Sequence, residues 1–258
     1  MADCPVVDGY DPSSSFGPET AATYDDSPRG DEAATVACLR RLAGAGPVLE
    51  LAVGTGRIAL PLAATGVRVD GVELSAAMVE VLRAKPGGRD LHVVLGDMAH
   101  LADADVPGPY RLVHLVFNSV YNLLTQEDQV RCFAGVAPRL AEDGRFLLEA
   151  AVPGPGEASP GPDYRLEQQY VAAEHVGTDR VVLDAGRYDP TTQLLRRTRV
   201  HVGADGVRLS PIVLRWASPA ELDLMARLAG LRLHERWGGW DGEPFTPASR
   251  RHVSVYGR

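Results

Sequence analysis

In Val48-Leu49-Glu50-Leu51-Ala52-Val53-Gly54-Thr55-Gly56-Arg57 an apolar run breaks into a Gly-x-Gly turn, and a second apolar run over 67–73 ends in Glu73. Glycines let a backbone approach a ligand closely, and the helix-like stretch 58–64 behind the turn offers unpaired N–H groups at its start. A carboxylate at the end of the next strand can accept from both hydroxyls of a ribose. Residues of these types at this spacing suit a nucleoside cofactor. The dinucleotide fingerprint asks for Gly-x-Gly-x-x-Gly. Its third position here is Ala59, a tolerated variant that lowers a nicotinamide or flavin reading without excluding it.

These side chains need elements to hold them. Short apolar stretches at 48–52, 67–73, 91–95, 112–117 and 146–151 predict strands, with helical stretches between them. Asp31, Ser75 and Thr125 stand where helix caps belong, and Pro86 stops the second of these helices. Alternation of this kind predicts an α/β fold with a parallel sheet covered on both faces and right-handed, doubly wound connections. Ligands bind such sheets at the carboxyl ends of the strands, where Gly54 and Glu73 fall.

The pattern changes after Val152. A Pro/Gly-rich linker leads into strand-like stretches at 164–174, 180–188, 193–202 and 207–216, which predict an antiparallel meander. Ser218-Pro219-Ala220-Glu221 is a capping box with proline at the first helical position. Strands at 231–237 and 252–256 close the chain as a hairpin. The expected organisation is a flap over 1–30, a cofactor-binding core over 31–152, an inserted antiparallel lid over 153–217, and a helix with hairpin over 218–258 that completes the core sheet. A mobile tail is the plainer reading of 1–30.

The 258 residues carry a formal net charge of -8 with no basic run, which gives no electrostatic footprint for a nucleic-acid partner. Cys4, Cys38 and Cys132 are scattered, so neither a metal site nor a disulfide framework is expected. No secretory signal or apolar run of membrane-spanning length is visible, and a cytoplasmic location without a membrane partner is the expectation. A homodimer is compatible with the sequence.

The runs ELAVGTGRIALPLA, GVELSAAM and LGDM resemble the class I S-adenosylmethionine-dependent methyltransferases, over about residues 47–152. The bacterial small-molecule group, of secondary-metabolite or amino-sugar type, is the nearest match. The resemblance implies a Rossmann-like sheet of seven strands whose last two form a hairpin, with the final strand antiparallel to the rest. It implies S-adenosylmethionine as cofactor, with S-adenosylhomocysteine as product. By the same resemblance, the backbone around Ala52, Gly54 and Gly56 approaches the amino-acid tail and ribose, and Glu73 takes the ribose hydroxyls. Leu74 and Met98 flank the adenine, and Asp97 accepts from its amino group. Glu50 and a carbonyl at Phe117 or Asn118 serve the methionine ammonium, Tyr24 lies over the cofactor, and Met78 is a further contact. Plainer readings stand beside these. Glu50 could pair with an arginine, Asp97 could only cap a helix, and Met78 could be helix core.

The expected activity is methyl transfer to a small-molecule acceptor by in-line displacement, on an amine, a hydroxyl or an electron-rich ring carbon such as an indole. Such a reaction requires alignment in a dry pocket and needs a base only if the acceptor arrives protonated. Acceptor-pocket candidates are Tyr10, Phe16, Tyr121, Asn122, Tyr164, Tyr170, Trp216 and Trp240. Candidates for catalysis are His175, Glu149 and Tyr24. His114, inside an apolar strand, reads as a satisfied interior histidine. The alternatives are an NAD(P)-linked oxidoreductase and a repurposed S-adenosylmethionine binder without methyl transfer.

Overall fold

The computed structural model describes residues 10–26, 29–153 and 166–258, so Cys4 and Tyr164 lie outside the described residues. Two short helices, α1 (Pro12–Ser15) and α2 (Pro18–Thr23), precede α3 (Glu32–Ala43). Then come β1 (Val48–Leu51), α4 (Ala59–Ala63), β2 (Val69–Glu73), α5 (Ala76–Ala84), β3 (His92–Leu95), β4 (Tyr110–Leu115), α6 (Gln126–Val136) and β5 (Leu140–Ala151). The meander is β6 (Tyr170–Val176), β7 (Arg180–Asp189), β8 (Leu194–Gly203) and β9 (Gly206–Arg215). Helix α7 (Pro219–Leu228) leads to β10 (Arg232–Trp237) and β11 (Arg251–Gly257).

Seven strands form one sheet in the order β10-β11-β5-β4-β1-β2-β3, with β1 to β5 parallel and β11 antiparallel to both its neighbours. The sheet is buried from both sides. Leu49, Leu51, Val113, Leu115, Phe146 and Leu148 face the core beneath α6 and α7. Val48, Val69, Leu112, Leu147, Val253 and Val255 face the opposite core with α3 and α4. Strands buried on two faces read as continuous apolar runs, which is why they stood out in the sequence. Three caps form as expected: the hydroxyls of Ser75, Thr125 and Ser218 accept from the amides of Met78, Asp128 and Glu221.

Three expectations shift. Strand β4 stops at Leu115 because Phe117 and Asn118 take left-handed φ values of 56° and 63°. Strand β5 begins at Leu140, well before residue 146, and pairs with β4 through a register shift between Tyr110 and Leu112. Asp31 sits at the cap position of α3, yet its side chain makes no cap bond there.

The second sheet, order β6-β7-β8-β9, is antiparallel throughout and follows β5. It joins the core through β8 and β9, where Leu194 and Val213 pack with Leu124 and Tyr10. No helix among the described residues is long and apolar enough to cross a membrane.

Candidate active site

The turn after β1 carries left-handed φ at Ala52 (54°), Gly54 (57°) and Gly56 (79°). The two glycines serve different ends. A Cβ on Gly56 would lie 2.9 Å from Leu60 and 3.1 Å from Leu82, so that glycine lets helices pack close. A Cβ on Gly54 would meet nothing nearer than 3.9 Å, which leaves open space where a ligand can lie against the backbone. Glu73, at the end of β2, ties the turn to the next helix. Its Oε2 accepts from the Gly54 amide at 2.8 Å and its Oε1 from the Ser75 amide at 2.8 Å. Burial pushes its carboxyl above the usual carboxylate range, against the lowering pull of the Ser75, Gly54 and Leu74 amides.

Beside this turn is a cavity of about 420 Å³ lined by Phe16, Ala52, Glu73, Leu74, Asp97, Met98 and Asn122, among others. Asp97 both lines the cavity and caps the 3-10 turn Met98–Asp103. Its Oδ1 accepts from the Ala99 amide at 2.8 Å, and its Oδ2 lies 3.3 Å from His100 Nδ1. Asp97 is thus a cap and a cavity-lining residue at once.

The ends of β1 and β4 gather a second group. Glu50 is 3% exposed and its Oε2 has no hydrogen-bond partner among the described residues. Burial pushes its carboxyl up to about 8, with nearby Arg57 pulling down and Glu73 pushing up. His114 Nε2 lies 3.9 Å from Glu50, and burial lowers that imidazole to about 3, so the pair is neutral histidine beside acid and no ion pair. Neither His114 ring nitrogen has a hydrogen-bond partner among the described residues, which corrects the expectation of a satisfied histidine. The Phe117 ring takes the guanidinium of Arg29 at 4.4 Å and that of Arg57 at 5.2 Å. Arg29 also lies 5.1 Å from the Tyr24 ring, which meets Phe16 edge-on at 6.4 Å. Arg57 pairs with Glu32 at 3.2 Å and approaches Asp31 at 3.6 Å.

The remaining candidates scatter. Phe16 and Asn122 line the cavity, and Tyr10 packs on Leu124 at its edge. Tyr121 lies in the core, with its hydroxyl donating to the Ala151 carbonyl at 2.8 Å. Tyr170 covers Gly186 on the second sheet and donates to Asp184 at 3.0 Å. Trp216 packs against the core under α6 and α7, and Trp240 is buried in the opposite core beside Cys38 and Leu39. His175 is exposed on β6, the strand at the far edge of its sheet from β9. Met78 is buried in α5, with its methyl carbon 4.0 Å from the open position above Gly54. The structure thus places Tyr121, Tyr170, Trp216, Trp240 and His175 away from the cavity lining, because residue type alone does not say which face an aromatic or a histidine occupies.

Other residues at this end escaped the sequence reading. Asp25 accepts from the Thr55 hydroxyl at 2.8 Å and pairs with Lys85 at 2.6 Å, while Ser75 donates to the Phe16 carbonyl at 2.6 Å. These contacts hold α1 and α2 over the glycine turn, so this stretch is a folded roof. Arg251, at the start of β11, pairs with Asp31 at 2.6 Å and approaches Glu149 at 3.8 Å. The one local signal was Arg57, a charge placed directly after the second glycine.

A Rossmann-like sheet with an antiparallel insertion after β5 and this strand-end cavity define a class of nucleoside-cofactor enzymes. Residues 48–144 match the family model described as a methyltransferase domain. The CcbJ methyltransferase from Streptomyces caelestis is 36% identical, with a TM-score of 0.84 over 96% of this chain and 98% of that one. The cypemycin N-terminal methyltransferase of a Streptomyces species is 29% identical over 211 residues, 82% of each chain. The amino pentose methyltransferase CalS10 from Micromonospora echinaspora shares the fold, at 24% identity and a TM-score of 0.65 over 92% of this chain and 95% of that one. The chain belongs to the S-adenosylmethionine-dependent methyltransferases, and S-adenosylmethionine is its cofactor. An NAD(P)-linked oxidoreductase is set aside by that membership. The residues present fit the cofactor: a buried Glu50 oxygen lacks a partner, as an ammonium site requires, and Gly54 leaves room above the backbone.

Proposed function

We propose that this enzyme methylates an amine nitrogen of a small molecule in bacterial secondary metabolism, by in-line displacement. The observation that carries the choice of nitrogen is the similarity, 29% identity over 82% of each chain, to a Streptomyces relative named for N-terminal methylation. The similar folds named as sugar and glycopeptide N-methyltransferases support the same choice.

S-adenosylmethionine, when bound, supplies the activated methyl group. The chain's residues orient the reactants. Glu73 accepts from the ribose hydroxyls with the lone pairs left over from Gly54 and Ser75. Leu74 and Met98 flank the adenine, and Asp97 accepts from its amino group. Glu50 receives the methionine ammonium, together with a carbonyl at Phe117 or Asn118. Helices α1 and α2 exclude water from above, which strengthens the polar contacts beneath them. An acceptor bound as free amine needs no protein base. Action in the cytoplasm belongs to this reading.

Incubation with methyl-labelled donor and a panel of amines, phenols and indoles tests it. N-methylated products are expected. Transfer only to phenols or indoles would move the acceptor to oxygen or carbon. Donor binding with no transfer across the panel would favour a repurposed binder.

A further inference from the structure

We infer that Glu149 is a positioning residue, whose carboxyl holds the turn Val116-Phe117-Asn118-Ser119 in its left-handed form at the donor site. The turn is closed by the Ser119 amide donating to the Val116 carbonyl at 3.3 Å. Its two central residues, Phe117 and Asn118, both have positive φ, the pattern of a type I′ turn. Asparagine tolerates that region. Phenylalanine visits it rarely, so something must hold it there.

Strand β5 supplies the hold. Glu149 Oε2 accepts from the Phe117 amide at 2.5 Å, and the Glu149 carbonyl accepts from the Asn118 amide at 3.3 Å. One turn residue returns the contact, since the Asn118 side-chain oxygen accepts from the Ala151 amide. Strand β4 has ended at Leu115, so the Phe117 amide lies beyond the strand pairing of β4 and takes the carboxylate as its acceptor. The Glu149 side chain is buried and its other oxygen lies towards Arg251, itself tied to Asp31. A general base must present an oxygen to the acceptor. Both oxygens of Glu149 are turned to the chain's own groups, and the result is the placing of the Phe117 ring against Arg29 and Arg57.

The inference does not depend on which acceptor the enzyme uses, because its first readout is donor-site affinity. S-adenosylhomocysteine binding is measured by calorimetry for Glu149→Gln, Glu149→Ala, Phe117→Gly and the double variant Glu149→Ala/Phe117→Gly. The glutamine amide oxygen still accepts from the Phe117 amide, so Glu149→Gln is expected within about threefold of the parent. Glu149→Ala leaves that half-buried amide without its carboxylate acceptor and is expected to weaken binding about tenfold or more. Glycine takes left-handed φ freely, so Phe117→Gly is expected to recover part of the Glu149→Ala loss. A tenfold loss in Glu149→Gln would overturn the inference, as would a double variant no better than Glu149→Ala. If Glu149→Ala does not fold, Glu149→Gln still decides the question. With an acceptor in hand, Glu149→Gln should also keep kcat and the acid limb of the pH profile. Loss of that limb would make Glu149 a base and end the positioning account.

Discussion

Glu73 and Glu50 are both buried acids at the ends of neighbouring strands, yet their oxygens are used differently. Glu73 accepts from two backbone amides, while one Glu50 oxygen has no hydrogen-bond partner among the described residues. Glu73→Ala would strip acceptors from the Gly54 and Ser75 amides and, on the proposed reading, from the ribose hydroxyls. Affinity for S-adenosylhomocysteine should fall about tenfold to a hundredfold, and an unchanged calorimetric Kd would remove Glu73 from the site. Glu50 predicts a pH signature. Its folded-state carboxyl stands at about 8, well above its ordinary value of 4.5. A raised pKa contributes stability fully below the ordinary value, and that stability is lost as pH rises through the folded value. Glu50→Gln should therefore flatten the decline in stability between about pH 4.5 and pH 8 seen in denaturation curves. Donor binding near pH 7 should expel a proton from Glu50. Calorimetry in two buffers of different ionisation enthalpy should detect that proton in the parent and miss it in Glu50→Gln.

At the scale of elements, the joint between the two sheets rests on Arg215. This side chain is buried, donates to Gln129 and Gln193, and pairs with Glu221 at 2.7 Å, so β9, α6 and α7 meet on one guanidinium. Arg215→Ala is expected to cost about 3–5 kcal/mol in urea denaturation, because Glu221 and two amide groups lose a buried partner. A cost below about 1 kcal/mol would mean that the packing of Leu194 and Val213 carries the joint alone. The elements themselves were legible where local rules decide them. Ser75, Thr125 and Ser218 cap their helices as read, since a cap needs only an amide three residues on. Asp31 looked the same by local rules, yet its carboxylate goes to Arg251, far along the chain. Phe117 read as the end of a strand because nothing local marks phenylalanine for a left-handed turn; its partner Glu149 lies on β5. Tyr121 and Asn122 are adjacent, and one enters the core while the other lines the cavity. The glycine turn and the strand-end acids were thus readable from local chemistry, and the group around Phe117 was not, because Arg29, Arg57 and Glu149 are remote from one another in sequence.

For the whole molecule, the decisive connection is between the first helices and the glycine turn. Asp25 bridges Thr55 and Lys85, and both Asp25 and Lys85 remain partly exposed to solvent. A contact of that kind is worth up to about 1 kcal/mol. Asp25→Asn should speed S-adenosylhomocysteine release up to about fivefold in stopped-flow fluorescence, and added salt should do the same to the parent. Equal rates in the parent and the variant, at low salt, would show that the roof opens elsewhere.

This roof also bears on the sequence of events in a turnover. It is fastened to the glycine turn, and Tyr24 at its end shares Arg29 with the Phe117 ring. On the proposed reading, the donor is held beneath α1 and α2 before the acceptor arrives. The expected kinetic scheme is compulsory order: the donor on first, the acceptor second, the methylated product off third, and the demethylated nucleoside last. Product-inhibition patterns report it directly, with S-adenosylhomocysteine competing against the donor and showing mixed inhibition against the acceptor.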